Sequence, residues 1–144
     1  MSTDAYLLRK YGIDRKEKRR MANAQGNACK ICRKTHTKDG RPILFHVDHC
    51  HTIPKIKVVA TKTSLGWVAE TINPPAKYPK LHFIWAYGRT RMEAVLQVRK
   101  QLRRAATRYL VCWSCNSLLA KGRDNPDVFD AAASYLREFE SRFQ

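Results

Sequence analysis

Two Cys-x-x-Cys pairs, Cys29/Cys32 and Cys112/Cys115, constrain this chain more than any other feature of its sequence. Each pair sits on a tight knuckle that aims two sulfurs at one point, and two knuckles complete a tetrahedral zinc site. The 79 residues between the pairs exceed a simple zinc ribbon, so something else must lie inside the loop. No secretory signal opens the chain, which favours metal over disulfides for its five cysteines. Neither pair lies in a βαβ pattern, which argues against a redox-active pair.

At 144 residues the chain is one compact domain, or a small core carrying one substantial insertion. Charge narrows its partners. Lys and Arg outnumber Asp and Glu by 28 to 12, for a net charge of +16. Four zinc-bound thiolates would leave about +14. Such an excess favours a polyanion, and binding to nucleic acid at low salt is close to unavoidable. A membrane surface is the rival partner, but no run approaches the ~20 apolar residues that span a bilayer, and no signal-peptide core opens the chain. A soluble, intracellular protein is expected.

Along the chain, Tyr6-Leu7-Leu8 reads as a short apolar-basic start. Asp14 with Glu17 forms a capping box for a helix over 15–25, and Gly26 is its C′ residue. Residues 33–41 are a polar loop turning at Asp39-Gly40, and Ile43–Val47 reads as a short strand. Residues 53–107 form a separate unit of three strands (58–60, 65–72, 81–87) and a helix opened by Thr90, with Val95, Val98, Leu102 and Ala105 on its apolar face. Arg108–Val111 is a strand entering the second knuckle, followed by a helix over 116–121 that stops at Gly122. Asn125-Pro126 caps a last helix, whose apolar face is Val128, Phe129, Ala132, Tyr135, Leu136 and Phe139.

The predicted strand at 43–47 delivers His46-Val47-Asp48-His49-Cys50-His51. Strict alternation would put His46 and Asp48 on one face and His49 and His51 on the other; a break there would let all four converge. A carboxylate beside a histidine suits phosphodiester hydrolysis. The carboxylate holds a hard cation such as Mg²⁺, and neutral imidazole deprotonates water. The same composition also fits a second zinc site. Cys50 reads as a small buried side chain between functional neighbours.

Taken together, Cys29-x-x-Cys32, His46-Val-Asp48-His49-Cys50-His51 and Arg108-Tyr-Leu-Val-Cys112-Trp-Ser-Cys115-Asn116 resemble phage recombination endonuclease VII, a family of the His-Me finger (ββα-metal, HNH-like) nucleases. Leu8-Arg-Lys-Tyr11-Gly-Ile, Ala24-Gln-Gly26, Gly122-Arg-Asp-Asn-Pro-Asp127 and Ala131-Ala-Ala-Ser-Tyr135-Leu136 continue the resemblance in the same order. It implies a structural zinc on Cys29, Cys32, Cys112 and Cys115. Asp48 and Asn116 become ligands of a catalytic Mg²⁺ or Mn²⁺, His49 the general base, and His51 a phosphate contact or catalytic helper. It further implies a homodimer that cuts branched DNA, including four-way junctions, in the bacterial cytoplasm as a phage or prophage protein. The implied fold is α+β: a zinc-stabilised ββα-metal core (1–52 and 108–144) with flanking helices, and an inserted β-β-β-α module (53–107).

That insertion replaces the family's short link and puts substrate preference in doubt; it reads either as an added DNA-contacting module or as a structural flap or dimer element. For DNA-backbone contact the residues singled out are Arg15, Lys18, Arg19, Arg99, Lys100, Arg103 and His46. Trp67, Trp85 and Trp113 are assigned to the core. The resulting expectation is a Mg²⁺-dependent endodeoxyribonuclease that leaves 5′-phosphate and 3′-hydroxyl ends. Its rivals are a sequence-selective nicking or packaging enzyme of HNH type and a non-catalytic zinc-dependent DNA-binding protein.

Overall fold

The computed structural model describes residues 3–141, a mixed α+β fold. In chain order its elements are α1 (Thr3–Tyr11), α2 (Arg15–Ala24), β1 (His46–His49), β2 (Lys57–Thr63), β3 (Gly66–Ile72), β4 (Trp85–Gly88), α3 (Arg91–Ala106), β5 (Thr107–Val111), α4 (Trp113–Lys121) and α5 (Pro126–Ser141). The strands form two small antiparallel sheets, β1-β5 and β2-β3-β4.

α2 starts as its sequence dictates: the Asp14 carboxylate accepts the Glu17 N–H at 2.7 Å. Gly26 follows with φ +65°, the left-handed conformation of a helix C′ residue. α1 departs from expectation, because the sequence reading treats 6–8 only as a start. Its nine residues are too few to be stable alone. Tertiary packing holds them: Leu7 is buried with Ile13, Val47 and Leu110.

β1 begins at His46, later than the predicted strand. Residues 35–43 instead close on themselves as a small hairpin, with Ile43 N–H donating to Thr35 O (3.1 Å) and Thr37 N–H to Arg41 O (2.8 Å) around the Asp39-Gly40 turn. In the two-stranded sheet His46 faces Val111, Val47 faces Leu110 and His49 faces Thr107, with the register broken at Asp48.

Residues 57–106 build the three-stranded sheet with α3 across one face. Ala60, Ala69 and Ala86 stand in register on that face. Their small side chains let the helix approach, and Ala94, Val98, Leu102 and Ala106 are buried beneath it. The buried stripe is therefore turned from the predicted one: Val95 is half-buried and Ala105 exposed. Thr90 caps α3, accepting the Glu93 N–H at 3.1 Å. The predicted strand 81–87 survives only from Trp85, because Pro79–Phe83 coils into a 3-10 turn that buries Leu81. Gly12, at φ +73°, joins α1 to α2 against α3. A Cβ there would stand 2.8 Å from Lys100 O and 2.9 Å from Arg104 N, so only glycine allows this close approach.

Two expectations are corrected. Trp67 is half-buried, but Trp85 and Trp113 are 61% and 68% exposed. Trp85 alternates outward on β4 while its neighbour Ala86 takes the core position, and Trp113 opens α4 on its solvent side. α5 forms as predicted, with Asn125 Oδ1 accepting the Asp127 N–H at 3.0 Å. Its apolar face, however, stays open: Val128, Tyr135 and Leu136 are exposed, and Phe129 packs at Gly122. The Phe139 side chain lies outside those described.

Candidate active site

The four predicted cysteines converge. The sulfurs of Cys29, Cys32, Cys112 and Cys115 all lie within 4.8 Å of one another. Cys32 and Cys112 are 3.8 Å apart. A tetrahedron with Zn–S bonds of 2.3 Å has sulfurs about 3.8 Å apart, so the spacing fits zinc. The local chemistry agrees. Burial pushes the Cys29 thiol up, but N–H donors from Cys112, Cys32 and Ile31 outweigh it and bring it to about 6. Burial raises both Cys112 and Cys115; the neighbouring thiols add to it at Cys115, while Cys115 itself opposes it at Cys112. Four thiolates this close repel one another unless a cation sits among them. Cys50 stands apart, half-buried, with Sγ 3.4 Å from the Tyr78 hydroxyl.

The cysteine cluster ties the Cys29 knuckle to the junction of β5 and α4. Gln25 adds a second tie. Its side-chain amide donates to Leu110 O (2.8 Å) and to Ala28 O (3.1 Å), and its oxygen accepts the Leu110 N–H (2.9 Å). The amide thus extends the edge of β5 like a short strand. The sequence reading places Gln25 at a helix end and assigns it no such role. Its signal there is only an amide beside a C′ glycine.

The broken register at Asp48 decides the fate of the histidine cluster. A bulge aims successive side chains off the regular alternation. His46, Asp48, His49 and His51 consequently all line one pocket of about 370 Å³, and Asn116 from the first turn of α4 lines it too. Asp48 is only 8% exposed. Its Oδ1 accepts from Arg108 Nη2 at 3.0 Å. Its Oδ2 is 2.8 Å from Arg108 Nε, yet that N–H is out of line, so the contact is an ion pair without a hydrogen bond. Asn116, whose side chain carries an amide oxygen, lines the same pocket, so the lining includes oxygen donors of the kind hard cations take. Burial raises the Asp48 pKa, Arg108 opposes this, and Asp124 adds to it.

His49 is half-buried between Tyr11, whose ring meets it edge-on at 5.1 Å, and His51 at 4.5 Å. Burial, then the charges of His51 and Lys10, hold its imidazole below the ordinary histidine value. A neutral imidazole at neutral pH can accept a proton.

Four residues in this neighbourhood escaped the sequence reading as site residues. Arg108 reaches Asp48, His49 O (3.2 Å) and Asp124 (3.1 Å) at once. Asp124 closes that network from the turn after α4. Lys10 and Tyr11 approach from α1, where Lys10 donates to the Tyr6 hydroxyl at 3.1 Å and its ammonium stands 5.2 Å from the Tyr11 ring centre. Their only sequence signal is membership in the motif strings around Tyr11, Cys112 and Asp127. Among the candidate DNA contacts, Arg99 is engaged inside the fold, donating to Pro54 O (2.9 Å) and Ile56 O (2.7 Å). Arg15, Arg19 and Lys100 are exposed, while Lys18 and Arg103 are partly covered.

No helix among the described residues is long and apolar enough to cross a membrane. Comparison with curated proteins and with solved structures gives no match. The family model of recombination endonuclease VII matches residues 4–138, spanning the cysteine cluster, the Asp48 pocket and the segment between them. The chain belongs to the recombination endonuclease VII family.

Proposed function

We propose that this protein is a one-metal endonuclease that hydrolyses phosphodiester bonds in branched DNA, with Asp48, His49 and Asn116 at its centre. The observation that carries this reading is the convergence of Asp48, His49, His51 and Asn116 in one pocket. In this reading 1–52 and 108–144 form a ββα-metal core and 53–107 an insertion. Asp48 and Asn116 hold Mg²⁺ or Mn²⁺, which when bound screens the phosphate charge and stabilises the leaving 3′ oxygen. A nitrogen of the His49 imidazole takes a proton from water as the water oxygen attacks phosphorus. The bond to the 3′ oxygen breaks and that oxygen takes a proton from solvent water, giving 5′-phosphate and 3′-hydroxyl ends. His51, on the same wall, contacts the phosphate. Zinc on the four cysteines holds α4, and so Asn116, against β1.

A homodimer nicking two strands, in a phage or prophage setting within the bacterial cytoplasm, completes the proposal. The open apolar face of α5 supports the dimer. The pocket is tested by plasmid nicking across a Mg²⁺ titration. Asp48→Asn and Asn116→Ala should need several-fold more Mg²⁺ for half-maximal nicking. Titrations that overlay the unsubstituted protein's would remove both residues from the ligand set.

A further inference from the structure

A second cavity, larger than the Asp48 pocket, is a groove of about 1300 Å³ between the 35–43 hairpin and the start of α4. Arg33, Lys34 and Lys38 line it, and Asp39 is the one carboxylate in its wall. Asp39 is already ion-paired with Arg41, Oδ2 accepting from Nε at 2.7 Å. The groove therefore presents a net positive lining to any ligand. It also exposes two large apolar side chains, Leu44 at 85% and Trp113 at 68%. His46 lines both the groove and the Asp48 pocket, so the two cavities are neighbours.

We propose that this groove is the path of the DNA strand flanking the scissile phosphate, with an unstacked base lying on Trp113. The inference rests on the nuclease reading and extends it from the cut to the strand beside it. Three observations favour nucleic acid as the occupant. The cations suit backbone phosphates. An indole left in solvent beside them offers a flat face for a base, the combination that single strands use. His46 lines both cavities, which puts the groove next to the Asp48 pocket. Unpaired or easily unstacked nucleotides occur at branch points, so the groove would distinguish branched DNA from intact duplex.

The test uses the zinc-loaded full chain with two variants, Lys34→Ala/Lys38→Ala and Trp113→Ala. Neither alters a residue of the Asp48 pocket or a cysteine, and zinc content checks the latter. Binding to a labelled four-way junction and to a linear duplex is measured in Ca²⁺ across a salt series. The lysine variant should bind both DNAs more weakly, with the log Kd against log salt slope shallower by about 2. Trp113→Ala should lose about tenfold on the junction and little on the duplex. Unchanged slope and affinities, with the unsubstituted protein still cutting in Mg²⁺, would overturn the groove and leave the nuclease reading intact. Equal losses on junction and duplex for Trp113→Ala would overturn the base platform. A protein that binds both DNAs but cuts neither in Mg²⁺ would overturn the nuclease reading and this inference with it.

Discussion

At Asp48 one residue's departure from strand geometry sets the chemistry of the whole pocket. Regular alternation would send His46 and Asp48 to one side and His49 to the other; the bulge brings them to a single wall. Burial then makes that wall sensitive to charge. Arg108 is the only cation paired with Asp48 among the described residues. Arg108→Ala would leave a buried carboxylate alone, costing the lower end of about 3–5 kcal/mol since Arg108 is a third exposed. Urea unfolding should show that loss, and cleavage should fall with it; unchanged stability would mean the pair contributes nothing to the fold. His49 gives the pH dependence. Its folded pKa lies below the ordinary 6.5, so the neutral form and its share of stability are present above that value. Both are lost as pH falls through the lower folded value. The decline of single-turnover cleavage with falling pH should therefore have its midpoint below 6.5. A decline centred at or above 6.5 would contradict the assignment.

Elements differ in how far the sequence reveals them, and packing explains the difference. Local chemistry announces itself: Asp14, Thr90 and Asn125 cap helices where their side chains predict, and the Cys-x-x-Cys spacing finds the four-cysteine cluster. α1 depends on a partner distant in sequence, Leu110, and the late start of β1 on the neighbouring residues 35–43 closing into a hairpin of their own. The candidate pocket divides in the same way. Its residues on β1 and α4 stand in compact motifs, while Lys10, Tyr11 and Asp124 reach it only through the tertiary fold. Trp85 and Trp113 mislead because a large apolar residue is usually buried, and neither position faces a core. Gln25→Ala leaves the Leu110 N–H and carbonyl without their side-chain partner and should cost about 1–3 kcal/mol. Thermal unfolding at fixed zinc measures it, and a loss under a few tenths would show that water replaces the amide.

The whole molecule combines a four-cysteine cluster spaced for zinc, a core under α3 and a strongly basic composition. Among the described residues the buried side chains fall into three clusters: one under α3, one around Leu7, Val47 and Leu110, and one around Cys29, Val111 and Cys115, with Phe45 packed against the last two. The last is small, so chelating zinc should unfold the β1-β5-α4 region, with one zinc released per chain. Binding energies of structural zinc, about 10–16 kcal/mol, far exceed what so small a cluster supplies. Circular dichroism unchanged by a strong chelator would argue against a structural ion. The net charge of +16 ensures that DNA binding by itself says little about catalysis. The decisive comparison is therefore single-turnover cleavage of a four-way junction in Mg²⁺ by the unsubstituted protein and His49→Ala, at matched zinc content and saturating protein. The account expects cutting by the former, and a loss of at least about a hundredfold in the latter with junction affinity unchanged. Equal cleavage by the two would contradict it.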